Sequence, residues 1–384
     1  MIGRIAALVA DCGIVVLALA LGAISWIVPK RRGEIAFYPA FAPKSFSGDL
    51  AILFEAMRET GGQNGRNVVW LTRDATIASA LAPHAHLSRR RPFWALLRAE
   101  LIVMDKTDLR FGFGRYRIVQ VWHGAGFKRI GLEKNGLTAV RKWGLKAHFR
   151  TYRLIAASSQ ADAARKAICF ANTNVRVTGQ PRNDALVDGR AKSADLPARL
   201  GIAPGGPIIA YCPTFREAGQ ALPFSPEDWL SLNAVLQAQD AVFLVKRHPR
   251  DHALSVPSYL DRIRDVTADV PDVQGLLAAS DLLISDYSSI ATDYALTEKP
   301  MIFYLYDDAV YRAHARGFHY ELADILPGPF ARTSAGLIGL IADRGWSTGV
   351  EYRARYERFR ARFHDYLDDR STTRLMAEIE RVLA

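Results

Sequence analysis

A histidine stands at the end of an apolar run in the first third of the chain, and glycines and cations follow it. The run 118–122 leads into His123 and Gly124, with Lys128 and Arg129 shortly after. An imidazole can act as a general base near neutral pH, and glycines let backbone N–H groups approach phosphate oxygens closely. The segment therefore predicts a general base beside an anion-binding loop, although a tight turn with an incidental surface histidine is the alternative.

A cationic cluster follows a second apolar run, Val242 to Lys246. Lys246 is succeeded by Arg247 and His248, and Pro249 then stops the strand. Such a cluster can neutralise a diphosphate and assist the departure of a phosphate leaving group. A solvated run of charges explains it equally well.

Two serines open a helix-like stretch after the apolar run 282–285. Ser288 and Ser289 begin that stretch, and Asp293 lies one turn later. Hydroxyls and free N–H groups at a helix N-terminus can bind phosphate without a glycine-rich loop. Ordinary capping accounts for one serine well and for the pair less well.

Arginines follow two further apolar runs. Arg182 lies in the segment 179–184, and Arg216 comes after Pro213 and Thr214. A guanidinium suits phosphate, but simple turn chemistry also explains these segments. All of these polar strand ends offer phosphate-binding groups, whereas carboxylate pairs and metal-ligand spacings are absent from the sequence. The combination predicts phosphoryl chemistry without a protein-bound metal or cofactor.

The apolar runs alternate with helix-like stretches, which is the pattern of βα units around parallel sheets. One series of predicted strands comprises 35–38, 67–71, 101–104, 118–122, 154–157 and 175–178, and a second comprises 208–212, 242–246, 282–285 and 301–304. The sequence thus predicts an α/β protein with two doubly wound domains, 31–185 and 200–348, whose strand ends face a shared cleft. The helical segment 349–384 is predicted to pack back across both. Neither GxGxxG nor a P-loop occurs, which disfavours a dehydrogenase or kinase.

Composition limits the classes of partner. The net charge of +11 favours an anionic partner, but the cations are scattered and no nucleic-acid-reading signature occurs, so nucleic acid is not expected. The three cysteines, Cys12, Cys169 and Cys212, lie far apart and predict neither a disulfide framework nor a zinc site.

The first thirty residues contain an uncharged apolar run, 12–28, about as long as the shortest helices that cross a bilayer. Asp11 limits its extension towards the N-terminus, whereas Trp26 and the basic residues 30–32 are typical of interface anchors. We expect 1–30 to be a membrane-anchoring or membrane-associated helix, with the domains at the cytoplasmic face of the cell membrane. A cleaved signal peptide and a buried helix are the alternatives.

Seven ordered segments of this chain resemble the motif series of the CDP-glycerol glycerophosphotransferases, which prime or polymerise teichoic acids and related capsules. The resemblance spans roughly residues 30 to 330. It rests on WHGAGFKRIG at 122–131, TGQPRND at 178–184, CPTFR at 212–216, KRHP at 246–249, SDLLISDYSSIATDY at 280–294, KPMIFYLYD at 299–307 and RGFHYE, followed by LPGP, from 316.

The resemblance implies a GT-B architecture of two Rossmann-like domains and a donor that is CDP-glycerol or another CDP-polyol. The acceptor would be a lipid-linked saccharide or a polyol-phosphate polymer, whose hydroxyl attacks the phosphorus attached to glycerol so that CMP leaves. His123 matches the family's general base, and His248 matches a histidine near the donor diphosphate. The positions expected to bind the donor are Gly124, Arg182, Pro213, Thr214, Lys246, Arg247, Ser288, Ser289 and Asp293.

One departure from the family pattern concerns the residues after His-Gly. The family usually has Thr-Pro-Leu there, whereas this chain has Ala125, Gly126 and Phe127. The change predicts altered contacts beside the base and leaves open a polyol or acceptor other than glycerol and its polymer. A nucleotide-sugar glycosyltransferase or epimerase of the same fold is one rival interpretation, and a non-catalytic, membrane-bound polyanion-binding protein is another.

Overall fold

The computed structural model describes residues 2–41, 43–87, 93–190, 195–202, 205–216, 222–248, 251, 254–314, 317–344 and 349–384. The chain forms two compact units. Unit 1 comprises Met1–His123, Arg129–Asp184 and His364–Ala384, and unit 2 comprises Gly124–Lys128 and Ala185–Phe363. Each unit is built on one parallel β-sheet with helices, which confirms the predicted α/β class.

The sheet of unit 1 has seven strands: β1 Arg31–Tyr38, β2 Asn67–Thr72, β3 Ala85–Leu87, β4 Ala99–Met104, β5 Ile118–Gln120, β6 Tyr152–Ala157 and β7 Val175–Val177. Their order is β3-β2-β1-β4-β5-β6-β7. The strands β2 and β3 lie on one side of β1, and β4 to β7 lie on the other side, so the strand order reverses between β1 and β4. In doubly wound sheets such a switch point marks where ligands bind, beyond the carboxyl ends of the strands.

The sheet of unit 2 has six strands: β8 Ile208–Cys212, β9 Val242–Val245, β10 Ile263–Asp265, β11 Leu282–Ser285, β12 Met301–Tyr304 and β13 Phe330–Ala331. Their order is β10-β9-β8-β11-β12-β13, so the switch point lies between β8 and β11. The two strands pair in parallel, with Leu282 opposite Ile209 and Ser285 opposite Cys212. Residues after β8 and β11 therefore emerge side by side.

Helices connect the strands and cover both sheets. In chain order they are α1 Ile2–Ile27, α2 Gly48–Asn64, α3 Ala75–Ala80, α4 Phe93–Arg98, α5 Ala139–Phe149, α6 Gln160–Phe170, α7 Asp184–Val187, α8 Asp195–Arg199, α9 Pro226–Ala238, α10 Val273–Ala279, α11 Ile290–Tyr294, α12 Asp308–His314, α13 Leu322–Ile325, α14 Ser334–Asp343, α15 Val350–Phe363 and α16 Ser371–Leu383. The predicted N-terminal apolar helix is thus present.

Each sheet is buried on both faces, as parallel sheets usually are. In β1, Ile35 and Phe37 belong to one apolar core, whereas Ala36 and Tyr38 belong to the core on the opposite face. Successive strand residues point to opposite faces, so one short run of apolar residues supplies both cores. This double burial explains why the strands read as continuous apolar runs in the sequence.

All predicted strands are present, and those at 208–212, 282–285 and 301–304 match to the residue. The strand predicted to reach Trp122 ends at Gln120, because the backbone of Trp122 has a φ of 58° and leaves the sheet. Three strands were not predicted: β3, β10 and β13 have two or three residues each and lie at sheet edges. Such short runs carry little apolar periodicity.

The C-terminal region forms two helices. Tyr356, Phe359 and Phe363 of α15 are buried in a core of unit 2. Leu375, Ile379 and Leu383 of α16 are buried in a core of unit 1. The segment predicted as one helical region thus contributes one helix to each unit. The second segment of unit 1, Arg129–Asp184, ends next to residue 185, which is the end of the first domain predicted from the sequence.

Candidate active site

His123 lies at the carboxyl edge of the unit 1 sheet, three residues after β5 ends. The left-handed backbone of Trp122 turns the chain out of the strand, and its N–H donates to Gln120 Oε1 at 2.9 Å. Two aromatic rings stack on the imidazole: Trp122 at a centroid distance of 4.5 Å and Phe41 at 4.6 Å. This packing restricts the orientation of the His123 ring.

A hydrogen bond to the carbonyl of Asp105 fixes the tautomer of His123. The imidazole Nδ1 lies 2.8 Å from that carbonyl oxygen. A carbonyl can only accept, so in the neutral ring Nδ1 carries the hydrogen and Nε2 carries a free lone pair. Asp105 follows β4, and its Oδ1 accepts from the N–H of Phe41, which follows β1. Asp105 thus links His123 to the segments that follow β4 and β1, between which the switch point of unit 1 lies.

Burial lowers the pKa of His123 from 6.5 to about 4. The Asp105 carbonyl opposes this shift, whereas the positive charges of Arg182, Lys166 and Lys106 add to it. The imidazole is therefore neutral at pH 7 and able to accept a proton. Burial also raises the pKa of the neighbouring Asp105 carboxyl to about 7, against the backbone N–H groups that donate to it.

Arg182 belongs to the same unit as His123 and is held by a buried carboxylate. Its Nη1 lies 2.5 Å from Asp49 Oδ2, and its backbone N–H donates to Asp49 Oδ1 at 3.0 Å. Its Nη2 donates to Gln180 Oε1 at 2.7 Å. The side chain is partly exposed, so the anchored cation still presents an edge to solvent. The sequence indicated Arg182 but gave no sign of its partner on α2.

The carboxylate of Asp286 ties the ends of β8 and β11 together in unit 2. It accepts from the N–H of Thr214 at 2.9 Å and from its hydroxyl at 2.6 Å. It also accepts from the N–H of Tyr287 at 2.6 Å. The segment after β8, including the partly exposed Pro213, is thereby fixed at the switch point.

Arg216 is the buried centre of an ion-paired cluster in unit 2. Its Nη2 lies 2.9 Å from Asp286 Oδ2, and its Nε lies 2.6 Å from Asp307 Oδ2. The guanidinium also lies over the rings of Tyr311, at 4.8 Å, and Tyr287, at 5.2 Å. Arg216 therefore organises the strand ends. Asp307 lies three residues beyond β12 and was not among the predicted site residues, because its pairing with Arg216, 91 residues away in sequence, is visible only in the structure.

Arg247, in the cationic cluster after β9, is held by contacts to two aspartates. Arg247 Nε pairs with Asp265 Oδ2 at 2.6 Å, and its Nη1 donates to the carbonyl of Asp251 at 2.8 Å. Burial lowers the pKa of Lys246, which remains partly exposed. The ring of His248 lies 5.7 Å from that of Phe215, and Pro249 is outside the described residues.

The two serines at the start of α11 differ in their contacts. Ser288 Oγ accepts from the N–H of Ile290 at 3.3 Å, as a capping residue does. Ser289 occupies the N-cap position, yet its side chain makes no capping hydrogen bond. Both side chains are partly exposed, whereas Asp293 is buried in the helix.

The loop 124–128 belongs to unit 2 and packs against α11. The carbonyl of Ala125 accepts from Thr292 Oγ1 at 3.1 Å, and Ala125 itself is buried. A Cβ on Gly126 would lie 3.6 Å from Ser289 Cβ, and Phe127 is buried beside Phe359 and Phe363. A distance of 3.6 Å is ordinary van der Waals contact, so the space between Gly126 and α11 would also accommodate a Cβ.

The candidate residues fall into two groups. His123 and Arg182 belong to unit 1. Because β8, β9 and β11 are parallel neighbours, their carboxyl ends bring one set of unit 2 residues to one sheet edge: Pro213, Thr214, Lys246, Arg247, His248, Ser288 and Ser289. Gly124, with a φ of 138°, begins the loop that packs on the adjacent α11, which also carries Asp293.

Comparison with known proteins gives consistent matches. The family model described as CDP-Glycerol:Poly(glycerophosphate) glycerophosphotransferase matches residues 20–381. The chain is 33% identical over 273 residues to the teichoic acid poly(ribitol-phosphate) polymerase of Bacillus spizizenii, covering 68% of this chain and 43% of that protein. It is 24% identical over 405 aligned positions to the teichoic acid glycerol-phosphate primase of Bacillus subtilis, covering 99% and 100%.

The chain spans about half the length of the first curated relatives it matches. Among solved structures, the wall teichoic acid polymerase TagF superimposes with a TM-score of 0.78 at 21% identity, covering 100% of this chain and 98% of that chain. At that identity the likeness establishes the fold, and it agrees with the expected GT-B architecture.

Proposed function

The chain belongs to the CDP-glycerol:poly(glycerophosphate) glycerophosphotransferase family, and from that premise we propose that it transfers glycerol phosphate, or a related polyol phosphate, from a CDP-polyol to a membrane-linked acceptor. The product would be a teichoic acid-like or capsular polymer, and CMP would be released. The observation that carries the proposal is the setting of His123, a neutral imidazole with its Nδ1 bound to a carbonyl and its Nε2 lone pair available.

The proposed step is a displacement at phosphorus. The acceptor hydroxyl oxygen forms a bond to the phosphorus that bears the polyol, while the bond from that phosphorus to the bridging oxygen breaks. CMP departs with the electron pair of that bond. His123 Nε2 takes the hydroxyl proton, and Nδ1 keeps its hydrogen bond to Asp105 so that the imidazolium stays oriented. The anionic donor raises the pKa of a nearby imidazole, which strengthens it as a base.

The donor's CDP group is assigned to the strand ends of unit 2. Lys246 and His248 would neutralise charge on the diphosphate and on departing CMP. The backbone N–H groups and hydroxyls at the start of α11 would bind phosphate oxygens. Thr214, which Asp286 holds in place, would contact the donor from the segment after β8. Arg247 is paired with Asp265, and this carboxylate would partly offset the attraction between Arg247 and the donor diphosphate.

Glycerol is proposed as the polyol, and the names of the relatives motivate a direct comparison with ribitol. One relative is a ribitol-phosphate polymerase and another a glycerol-phosphate primase. The full chain, given bacterial membranes as acceptor, is expected to release CMP from CDP-glycerol faster than from CDP-ribitol. It should release no UDP from UDP-sugars. Chromatography would quantify the nucleotides, and mass spectrometry of the lipid product would identify the added unit.

Each outcome of this assay distinguishes between hypotheses. Faster turnover of CDP-ribitol would change the polyol and keep the reaction. Release of UDP from a UDP-sugar, without release of CMP from either CDP-polyol, would replace the proposal with a nucleotide-sugar glycosyltransferase. No turnover of any donor, with donor binding intact, would favour the non-catalytic polyanion-binding protein.

Ser289 offers a test of the phosphate-binding role of α11. Its side chain caps no helix N–H, so Ser289→Ala should change the free energy of unfolding by less than ~0.5 kcal/mol. Loss of a hydrogen bond to a charged phosphate should weaken CDP-glycerol binding by roughly 10-fold. Calorimetry and chemical denaturation would measure the two quantities.

Ser225→Ala is the matched control for Ser289→Ala. Ser225 Oγ accepts from Asp228 N–H in a complete capping box at the start of α9. Its removal should cost about 1 kcal/mol of stability and leave donor binding unchanged. If Ser289→Ala instead lowers stability and spares binding, its hydroxyl is structural and α11 is not the phosphate site.

We place the protein at the cytoplasmic face of the cell membrane. Helix α1 is the candidate attachment: in the part of the chain that the structure describes, it is the helix that is long and apolar enough to cross a membrane. The basic residues 30–32 follow it directly, and positive charge beside an apolar helix favours the cytoplasmic side.

A further inference from the structure

A glutamine ends the apolar strand β5, and it is fully buried. Gln120 lies between Val119 and Val121, which are buried as well. Burying a polar amide costs free energy unless hydrogen bonds replace those that it made with water. The hydrogen bonds of Gln120 therefore indicate what a polar residue does at this position.

The amide oxygen of Gln120 holds the turn that carries His123. Gln120 Oε1 accepts from the N–H of Trp122 at 2.9 Å. Trp122 has a φ of 58°, a left-handed conformation that is unfavourable for a bulky residue and persists only where its surroundings enforce it. Because His123 follows Trp122 directly, this hydrogen bond sets the direction in which the imidazole leaves the strand.

The amide nitrogen of Gln120 extends the contact to β6. Its Nε2 donates to Tyr152 Oη at 3.1 Å. The orientation of the amide is determined, since only its oxygen can accept from the Trp122 N–H and its nitrogen must then face Tyr152. Thr107, in the segment after β4, is a second hydrogen-bonding partner of the Tyr152 hydroxyl.

A buried histidine on α5 accepts the hydrogen of the Tyr152 hydroxyl. Tyr152 Oη lies 3.0 Å from His148 Nε2, and the N–H of Asp108 donates to the same nitrogen at 3.4 Å. An N–H can only donate, so His148 Nε2 is the bare nitrogen and the Tyr152 hydroxyl donates to it. Burial lowers the pKa of His148 from 6.5 to about 4 and raises the pKa of Tyr152, so both groups are neutral at pH 7.

The two segments that hold His123 are both attached to these buried groups. The segment after β4 contains Asp105, whose carbonyl accepts from His123 Nδ1, and Asp108, which donates to His148. The segment after β5 contains Trp122, which donates to Gln120. A catalytic side chain is precise only where packed, hydrogen-bonded residues support it. A displacement of about 1 Å can cost roughly 100-fold in rate.

We propose that Gln120, Tyr152 and His148 form one buried network that positions His123 and keeps its Nε2 lone pair directed towards the acceptor hydroxyl. They are positioning residues, which act through Trp122 and Asp105. The inference rests on the proposed function for the role of His123 as the base. The position and tautomer of the imidazole can nonetheless be measured without turnover.

Tyr152→Phe tests the network kinetically, because it removes the hydroxyl that joins Gln120 to His148 and keeps the ring. With saturating CDP-glycerol and detergent-solubilised acceptor, kcat for CMP release should fall roughly 10-fold, since a misplaced base accepts the proton less efficiently. The KM for the donor, which is assigned to unit 2, should stay at the wild-type value. An unchanged kcat would overturn the proposal.

Tyr116→Phe is the matched control for Tyr152→Phe. Tyr116 is also buried in unit 1, and its Oη donates to the carbonyl of Leu21 at 3.0 Å. The two substitutions remove the same group from buried sites, so chemical denaturation should show similar losses of stability. Only Tyr152→Phe should lower kcat. An equal fall in kcat for both variants would assign the effect to lost stability and overturn the proposal.

A double variant tests whether the residues act as one unit. Gln120→Met keeps a similar volume and removes the acceptor of the Trp122 N–H, so kcat should fall further, by roughly 30-fold. Adding Tyr152→Phe to Gln120→Met should then change kcat little, because residues of one network are not additive. Multiplication of the two single effects would show independent roles and overturn the network.

Nitrogen NMR of ¹⁵N-histidine-labelled protein reports on the imidazole directly. The His123 resonances can be assigned by their absence in His123→Asn, and the wild type should show one protonated and one bare ring nitrogen. In Tyr152→Phe and Gln120→Met the second tautomer should become populated, so the two resonances should move towards each other. A lowered kcat with unchanged His123 resonances would overturn the proposal.

The same measurements separate this inference from the proposed function. A wild type that releases no CMP from any CDP-polyol refutes the transfer reaction. If its His123 resonances still respond to Tyr152→Phe and Gln120→Met, the network positions the imidazole as proposed. If they do not respond, the positioning role is refuted as well.

Discussion

Replacing His123 with asparagine is expected to lower CMP release from CDP-glycerol at least ~100-fold, the lower range for loss of a general base. The asparagine amide can occupy the position of the imidazole Nδ1 and keep the hydrogen bond to the Asp105 carbonyl. It offers no basic nitrogen in place of Nε2. Turnover should therefore fall while the affinity for the donor, measured by calorimetry, stays at the wild-type value.

His86→Asn is the matched control for His123→Asn, because His86 is exposed on the edge strand β3 of the same unit. It should retain full turnover. If His123→Asn retains turnover as well, or loses donor binding together with turnover, His123 is not the general base.

The pH dependence of the wild-type enzyme gives an independent check on His123. Its pKa is lowered to about 4, so the base form persists well below pH 6.5. The acid limb of kcat/KM should accordingly lie well below pH 6.5. The Asp105 carboxyl has a pKa raised to about 7 and contacts Phe41, so an inflection near pH 7 that Asp105→Asn removes belongs to that group. An acid limb at 6.5 would contradict the burial of the imidazole.

The sequence predicted the strands well because burial on both faces requires continuous apolar runs. It did not predict β10, Ile263–Asp265, whose three residues are buried, exposed and intermediate in turn. An edge strand of this kind forms because β9 offers unpaired backbone groups, and that cause lies outside the strand itself.

The position of His123 could be predicted from a strand end followed by glycines, but its tautomer could not. Asp105 lies 18 residues upstream and meets the imidazole because β4 and β5 are parallel neighbours, with Met104 opposite Gln120. Similarly, Asp11 was expected to limit the apolar helix. Instead it lies inside α1, where Arg141, 130 residues away, compensates its charge.

Arg182 and Arg216 look alike in the sequence, since each follows an apolar run near a proline. In the structure both are paired with aspartates remote in sequence, and only 11% and 6% of their side chains are exposed. Arg216 differs in that it lies between two carboxylates, those of Asp286 and Asp307. These partners follow β11 and β12, so local sequence could not show that two buried anions hold Arg216.

Arg216→Leu is expected to destabilise unit 2 by about 3–5 kcal/mol, the cost of breaking a buried ion pair from one side. The carboxylates of Asp286 and Asp307 would remain buried without their cation. Because Asp286 also fixes Thr214, the segment after β8 should loosen and donor binding should fall. Chemical denaturation would give the loss of stability, and hydrogen exchange should rise at β8 and β11.

Arg312→Leu is the matched control for Arg216→Leu, since it breaks a pair of carboxylate contacts at the surface. Arg312 lies 2.9 Å from Asp308 and 3.1 Å from Glu321, with 34% of its side chain exposed. Its loss should cost less than ~1 kcal/mol, because water solvates the carboxylates that remain.

A triple variant separates the loss of charge balance from the loss of packing at Arg216. Arg216→Met combined with Asp286→Asn and Asp307→Asn removes the cation and both anions while keeping similar volumes. Stability should recover in part relative to Arg216→Leu, since no uncompensated charge remains buried. Donor binding should not recover to the same extent, because a neutral amide holds the Thr214 N–H and hydroxyl less strongly than the carboxylate does. If Arg216→Leu is as stable as Arg312→Leu, the cluster does not hold the strand ends, and the rigidity of the segment after β8 must have another cause.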